Sequence, residues 1–358
     1  MNSFILIINL FSMKYILTIW WWTWTFNLVS ALKKLDNVSI NTLVTMSDDG
    51  GSTWTLRDEY GILPPWDLRR ALVALADEDK SQFLRELFSY RYEDWFLAWQ
   101  NLWNLIMFAA EKITNDYWKA LSELEHLFNI KKWKVYPSTF ETTRLLAQLE
   151  DNEYIIWETN IDIPKHDGNI KINDIWVIKE KYAKILNILK DLEKDDIFYS
   201  MIEKAKQDKP IENINLKKTV EKVDYIIFWP GDLYTSILPN LLLWNTIDII
   251  KNSKAKKIYI WNLFTKFWET NIYKLSDFLN VFKKYFWEDI FDYILIQDKS
   301  KLELTDDLLE KYHNEWKNLV KNDIKQDKKL IKKDLVSSWE ILRHSIVKLE
   351  KALKDIIY

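Results

Sequence analysis

The chain has no cysteine in its 358 residues. That excludes a disulfide scaffold, a thiolate metal site and a cysteine nucleophile. It also lacks a dominant charge: 50 Lys and Arg face 53 Asp and Glu, for a formal charge of -3. So even a balance leaves no basic footprint for nucleic acid. Beyond residue 33 no uncharged run reaches membrane-spanning length. Histidine is scarce, and His126, His166, His313 and His344 do not have zinc-site spacing. What is plentiful is apolar surface: 48% hydrophobic residues suffice for a sizeable core and argue against disorder.

The sharpest shortage is glycine. The chain has 5 Gly and 20 Trp, where an ordinary chain of this length carries roughly 25 Gly. The glycine deficit and the tryptophan excess match in size. Trp20, Trp21, Trp22 and Trp24 lie in IWWWTWTF, Trp54 in DDGGSTWT, Trp66 in LPPWDLRR and Trp229 in IIFWPGDLY. These are turn contexts, where glycine serves for its access to positive φ and tryptophan is the least suitable side chain. We expect most of these tryptophans to be glycine in the living protein, the gene coming from a lineage that reads UGA as glycine. The alternative is a truly Trp-rich protein, such as a sugar binder with stacking platforms. Trp176, in the apolar run INDIWVI, fits a strand as a genuine aromatic. On the recoding reading, Trp20–Trp24, Trp54, Trp66 and Trp229 should converge on one cleft, several with positive φ.

Residues 1–12 are expected to be an extension ahead of a true start at Met13. Lys14 breaks the apolar stretch from Phe4 to Ile19, and neither a basic leader nor a small-residue cleavage site flanks it. The expectation is a soluble, cytoplasmic protein with one domain over 13–358. Short apolar runs at Tyr15–Ile19, Ile40–Met46, Val223–Phe228, Lys257–Ile260 and Tyr293–Gln297 read as strands. Patterns at Phe26–Leu35, Leu68–Ala76, Leu102–Ala110 and Trp339–Ile356 read as helices, the third buried nearly all round. This alternation predicts an α/β fold with a mainly parallel sheet between helical layers. Thr143–Leu149 and Tyr154–Trp157 predict a small hairpin, and residues 179–222 a solvated helical insertion. We see no internal repeat and no linker rich in Pro, Gly or Ser.

The candidate site residues cluster at the ends of these strands. With glycine restored, KYILTI-GGGTGTF is a strand, a glycine loop and a helix, which brings backbone N–H groups to a phosphate at a helix N-terminus. Trp20, Trp21, Trp22 and Trp24 would form the loop, and Thr23 and Thr25 add hydroxyls. Asp48 and Asp49 follow the second strand, and ligands of parallel sheets bind beyond the carboxyl ends of the strands. These two acids are the candidates for catalysis, for a Mg²⁺ held with substrate phosphates, or for gripping a ribose hydroxyl. Gly50, Gly51, Ser52 and Thr53 continue the turn. Only seven arginines stand beside 43 lysines; Arg57 and Arg69 lie next to the loops and suit phosphate through their planar fork. Asp67 is a candidate N-cap. Asn101 and Asn104 either present amides to a ligand or cap a helix. Trp229, Gly231, Asp232, Tyr234 and Thr235, with Ser236, form a second strand–loop–helix nest, or an ordinary Gly-Pro turn. His344, beside Arg343, is either a ligand contact or a structural residue. No G-x-S-x-G elbow appears even after restoration.

With glycine restored, GGGTG, DDGGSTG, LPPGDLR, GQNLGNL, GKVYPST, FGPGDLYTSILPNLL, GETN and LRH follow in one order from about Met13 to Lys351. In this the sequence resembles the gluconeogenesis factors, the YvcK-like group of the CofD/UPF0052 superfamily. The resemblance implies a Rossmann-like three-layer sandwich with a nucleotide-type ligand at the loop ends, while the charge balance and the lack of a spanning run lead us to expect no nucleic-acid or membrane partner. CofD members transfer a 2-phospholactyl group from a guanosine diphosphate carrier to a deazaflavin with Mg²⁺. The YvcK-like group is associated with cell shape and growth on gluconeogenic carbon, with UDP-sugars as the ligand class. Phosphate contacts carried over are Trp20–Trp22, Thr23 and Trp24, each tryptophan standing for glycine. Asp48 and Asp49 match the acidic pair, Asn101 and Asn104 the amide motif, and Gly231 to Thr235 the second loop. A homodimer rests on the same resemblance. There are departures: Gln100 replaces the usual His, Arg70 an Asn and Asp232 a Ser, and residues 191–216 exceed the family connection.

Overall fold

The computed structural model describes residues 12–20, 25–49, 66–75, 83, 86–88, 90–92, 101–127, 130, 133–162, 165–302, 304–337 and 342–358. The strands in chain order are β1 (Lys14–Trp20), β2 (Val38–Val44), β3 (Trp133–Pro137), β4 (Thr143–Leu149), β5 (Tyr154–Ile156) and β6 (Ile172–Lys179). They continue with β7 (Tyr225–Phe228), β8 (Lys256–Ile260), β9 (Tyr293–Gln297), β10 (Leu330–Lys333), β11 (Val336–Ser337) and β12 (Arg343–His344).

Seven of these form one sheet in the order β10-β9-β8-β7-β1-β2-β3, with every neighbouring pair parallel. Parallel strands buried on both faces read as continuous apolar runs, and Ile16, Leu17, Ile19, Ile226, Ile227 and Phe228 are all fully buried. The chain starts in the middle at β1, builds outward to β3, then returns to β7 on the other side of β1 and builds away to β10. Because parallel crossovers are right-handed, this reversal puts the helices of the two halves on opposite faces. Thr25–Lys33 packs between Trp66–Leu75 and Ile346–Ile357, while Thr246–Lys251 packs against Leu216–Val220 and Leu275–Phe286. The predicted α/β sandwich with a parallel sheet is therefore the observed architecture.

Where the sequence suggests a hairpin, the structure has a three-stranded antiparallel sheet in the order β5-β4-β6. The third strand, β6, contains Trp176 and comes from the segment after the hairpin. It pairs along the whole of β4, from Thr143 opposite Lys179 to Leu149 opposite Ile172. Helices Glu180–Asp191 and Asp195–Gln207 cover this sheet. Leu146, Ile178, Leu186, Phe198 and Ile202 form a second small core between them. The expected insertion over 179–222 is thus the end of β6 and the helices 180–191, 195–207 and 216–220.

Three local expectations change. The closing helix starts at Ile346, not Trp339, because Arg343–His344 pairs antiparallel with Val336–Ser337. The helix Leu102–Thr114 buries one face, Trp103, Asn104 and Met107, and leaves Ile113 exposed; it lies in an outer layer, where an amphipathic helix contacts the core along a single stripe. Asp67 lies inside the helix Trp66–Leu75 and is not its cap.

Candidate functional site

Strand order reverses between β1 and β7, and doubly wound proteins bind ligands outside the carboxyl ends of the strands at such a point. Trp20 ends β1. Trp229 follows β7, and its N–H donates to Ile19 O at 3.2 Å. The two loops predicted from sequence therefore start side by side. Trp229 is fully buried and its Nε1–H has no partner. Its ring lies 5.1 Å from that of His344. His344 is also buried, with Nε2 unbonded, and burial pushes its pKa down to about 3. None of Trp20, Trp66 and Trp229 has positive φ. Among the described residues the left-handed tryptophans are Trp157 (φ 80°), Trp287 (φ 58°) and Trp316 (φ 57°).

The end of β2 delivers a buried acidic pair. Thr45, Met46 and Ser47 lead to Asp48 and Asp49, all buried. Thr143 ties this turn to β4 by donating to Met46 O at 3.1 Å. Asp49 accepts the N–H of Glu158 at 3.1 Å on one oxygen and that of Thr159 at 3.0 Å on the other. It thereby caps the short helix Glu158–Asp162. Burial, then the neighbouring charges of Asp48 and Asp49, hold the Glu158 carboxyl well above its ordinary pKa.

A second acidic group gathers around one lysine. Lys266 Nζ donates to Asp162 and, at 2.8 Å, to Asp232, and lies 3.4 Å from Glu269. Ligand atoms of Asp162, Asp232 and Glu269 fall within 4.8 Å of one another. Glu269 is only 2% exposed and occupies the second predicted nest. It accepts the amides of Tyr234 at 2.8 Å and Thr235 at 3.2 Å, and the Thr235 hydroxyl at 2.6 Å. The amides and hydroxyl read as phosphate donors thus hold a carboxylate of the same chain. The Tyr234 hydroxyl pairs instead with that of Tyr273 at 2.9 Å. Gly231 O accepts from Asn262 Nδ2 at 2.7 Å.

Other predicted residues have structural tasks. Asn101 caps the helix Leu102–Thr114, accepting Trp103 N–H at 3.1 Å. Asn104 is buried on that helix. Arg69 is buried and donates to Phe88 O at 2.7 Å. Trp21, Trp22, Thr23, Trp24, Gly50, Gly51, Ser52, Thr53, Trp54 and Arg57 lie outside the described residues, and Thr25 is described in its backbone alone.

The sequence reading missed Glu158, Asp162, Lys266 and Glu269 as site residues. A signal was available: the pentapeptide WETNI occurs twice, at 157–161 and 268–272. Both copies place a buried glutamate, Glu158 and Glu269, in a short helix near Lys266.

Mg²⁺ needs oxygen ligands in near-ideal octahedral geometry and keeps several waters. The pair Asp48–Asp49 fits this poorly, since both Asp49 oxygens accept backbone N–H groups. The trio around Lys266 has the oxygens, but the ammonium already sits among them.

The arrangement defines a doubly wound α/β protein with two groups of acids, one around Asp48, Asp49 and Glu158 and one of Asp162, Asp232 and Glu269. Residues 25–337 match the family model described as 2-phospho-L-lactate transferase CofD, and the chain belongs to that family. It is 34% identical to the putative gluconeogenesis factor of Thermotoga maritima over 83% of this chain and 82% of that protein. It is 31% identical to the gluconeogenesis factor of Halalkalibacterium halodurans over 89% of both chains. A solved structure of a UPF0052 family member from Bacillus halodurans superposes with a TM-score of 0.78 at 29% identity, covering 96% of this chain and 99% of that one. Among the described residues no helix is long and apolar enough to cross a membrane.

Proposed function

We propose that this protein binds a nucleotide-sugar of the UDP-sugar type at the β1–β7 switch point, and that it acts as a regulator needed for cell shape and growth on gluconeogenic carbon. The observation that carries the reading is the reversal of strand order between β1 and β7, which sets the carboxyl ends of two parallel neighbours side by side. The electrostatics of the crevice divide the ligand. Carboxylates repel a diphosphate but accept hydrogen bonds from ribose and sugar hydroxyls. The acidic side, with Asp48, Glu158 and Asp232, suits the hydroxyl groups. The β1 loop, rich in backbone N–H once glycine stands at 20–22 and 24, suits the phosphates.

The reading includes the replacement of tryptophan by glycine in the native protein. Trp157, Trp287 and Trp316 occupy left-handed backbone, which costs an L-residue about 1–2 kcal/mol. Trp316 sits at the glycine position of a helix-ending motif, its N–H on His313 O and that of Lys317 on Tyr312 O. Trp229 and Trp261 each bury an indole N–H with no partner, at about 1–3 kcal/mol each.

Calorimetry of the chain carrying glycine at 20–22, 24 and 229 tests the ligand. Binding of UDP-glucose supports the regulator reading. Binding of GDP with no UDP-glucose binding would move the assignment to a Mg²⁺-dependent transferase of the CofD type, and binding of neither overturns both.

A further inference from the structure

His344 is anchored on several sides, yet its Nε2 has no partner. Its strand β12 pairs with β11, His344 opposite Val336. On either side of it, Leu342 N–H donates to the Tyr312 hydroxyl at 2.8 Å and Ser345 N–H to Leu335 O at 2.8 Å. His344 O accepts from Asn27 Nδ2, again at 2.8 Å. That bond ties the residue to the first turn of the helix Thr25–Lys33, which follows β1. The residue is 3% exposed, and Nε2 is buried and unbonded. A histidine serving the fold alone would have a partner there, because buried polar atoms are costly to leave unpaired.

The neighbouring ring repeats the pattern. Trp229 lies 5.1 Å from the imidazole between centroids and is fully buried, with its own Nε1–H unpartnered. Trp229 stands one residue beyond β7, its backbone N–H on Ile19 O of β1. Through this ring His344 adjoins the carboxyl ends of the two strands between which the order reverses. Glycine at 229 would leave a hollow the size of an indole, with the imidazole in its wall. A polar atom in the wall makes such a hollow a place for a polar group and not a dry void. Burial alone depresses the His344 pKa, with no neighbouring charge among the described residues contributing. The ring is therefore neutral at pH 7 and carries one N–H. A donor beside the first turn of a helix, without a carboxylate to compete, suits an anionic oxygen.

We propose that His344 is a phosphate-binding residue: with glycine at 229, its imidazole donates to a phosphate oxygen of the nucleotide-sugar in the space that the indole fills here. The inference rests on the nucleotide-sugar reading and on glycine at position 229. It divides the ligand's contacts further, with the imidazole on the phosphates and the carboxylates on the hydroxyl groups.

Calorimetry with UDP-glucose on the full chain carrying glycine at 20–22, 24 and 229 tests it. His344→Phe keeps a flat ring without a nitrogen and is expected to raise Kd about 10-fold or more, the loss of a hydrogen bond to a charged group. His344→Gln offers an amide N–H in place of Nε2 and should recover most of the affinity. Nuclear magnetic resonance of the imidazole nitrogens gives a direct reading. UDP-glucose should shift the His344 signal, identified by its loss in His344→Gln, whereas uridine, which has no phosphate, should leave it in place. If His344→Phe binds UDP-glucose as tightly as its parent, or His344→Gln is as weak as His344→Phe, the inference fails and the nucleotide-sugar reading stands. An unshifted His344 signal in the bound protein has the same meaning. If the glycine-bearing chain binds no UDP-glucose, the nucleotide-sugar reading fails first and this inference with it.

Discussion

Replacing Trp287 by glycine should stabilise the protein, although the change removes a large aromatic side chain. Trp287 follows the helix Leu275–Phe286 with φ 58° and ψ 11°, the left-handed conformation that ends many helices and that glycine adopts without steric cost. Its ring is 75% exposed, and its one described ring contact is Lys251 Nζ at 6.0 Å. Little packing is therefore lost. Relief of the left-handed strain is about 1–2 kcal/mol, and the larger unfolded-state entropy of glycine returns about 0.5–1 kcal/mol. The net gain is about 0.5–1 kcal/mol. An unfolding entropy of about 2.1 cal/mol/K per residue makes that only about 1 °C in Tm for a chain of this size, so urea unfolding is the better assay. With m of about 3 kcal/mol/M the midpoint should rise by about 0.2–0.3 M. Far-ultraviolet circular dichroism should report it, because the substitution itself alters fluorescence. Trp287→Ala is the decisive control: it removes the ring but keeps the Cβ that makes positive φ costly. If alanine stabilises as much as glycine, backbone strain is not the cause and the reasoning fails. The same logic assigns residues 157, 287 and 316 of native protein as glycine by peptide mass spectrometry; intact tryptophan there ends the recoding proposal.

Burial pushes Glu125 up to about 7, against the opposing pull of the Val135 N–H and Lys134. A carboxyl raised in the folded state binds its proton more tightly there, so its contribution is complete below about pH 4.5 and is lost as pH rises through 7. The loss amounts to about 3 kcal/mol. Glu125→Gln keeps an acceptor for Val135 N–H and should flatten stability across that window; an unchanged pH profile by urea unfolding would refute the assignment. His344 has the opposite sign: its pKa falls to about 3, so stability should decline as pH drops below 6.5, by about 2 kcal/mol at pH 5. His344→Gln should remove that part of the acid sensitivity. Lys266→Met leaves Asp162, Asp232 and Glu269 without their shared cation and should destabilise by about 2–4 kcal/mol. Millimolar Ca²⁺ should recover part of the loss in thermal unfolding, and no recovery would show that the carboxylates cannot close on a divalent ion. Asn101→Ala should cost about 1 kcal/mol through the lost cap.

Much of the frame was legible because it is written locally. β1, β2, β7, β8 and β9 fall within two residues of the apolar runs that predicted them, since a strand buried on both faces must be continuously apolar. The loop after β7 was legible for the same reason, as turn residues directly behind such a run. The three-stranded sheet was half legible. β4 and β5 are joined by a short turn, but β6 reaches its partner from 15 residues beyond β5, and pairing at that distance has no local signature. Asn101 shows the limit from the other side: its sequence context was equally that of a cap and of a ligand contact, and its hydrogen bond makes it a cap.

By itself, then, the order of strands, turns and helices determined a parallel α/β protein with its loops at one end of the sheet, and the ordered motifs determined its family. Tertiary structure alone decided the use of the acids. Asp162, Asp232 and Glu269 come from segments 37 to 107 residues apart in the chain, and only the return of the chain to β7 beside β1 brings them to one lysine. It likewise decided that Asp49 caps a helix and that Glu269 fills a nest of amides. Hydrophobic periodicity is a property of neighbours along the chain, whereas the neutralisation of a buried charge depends on which partners the topology delivers to it.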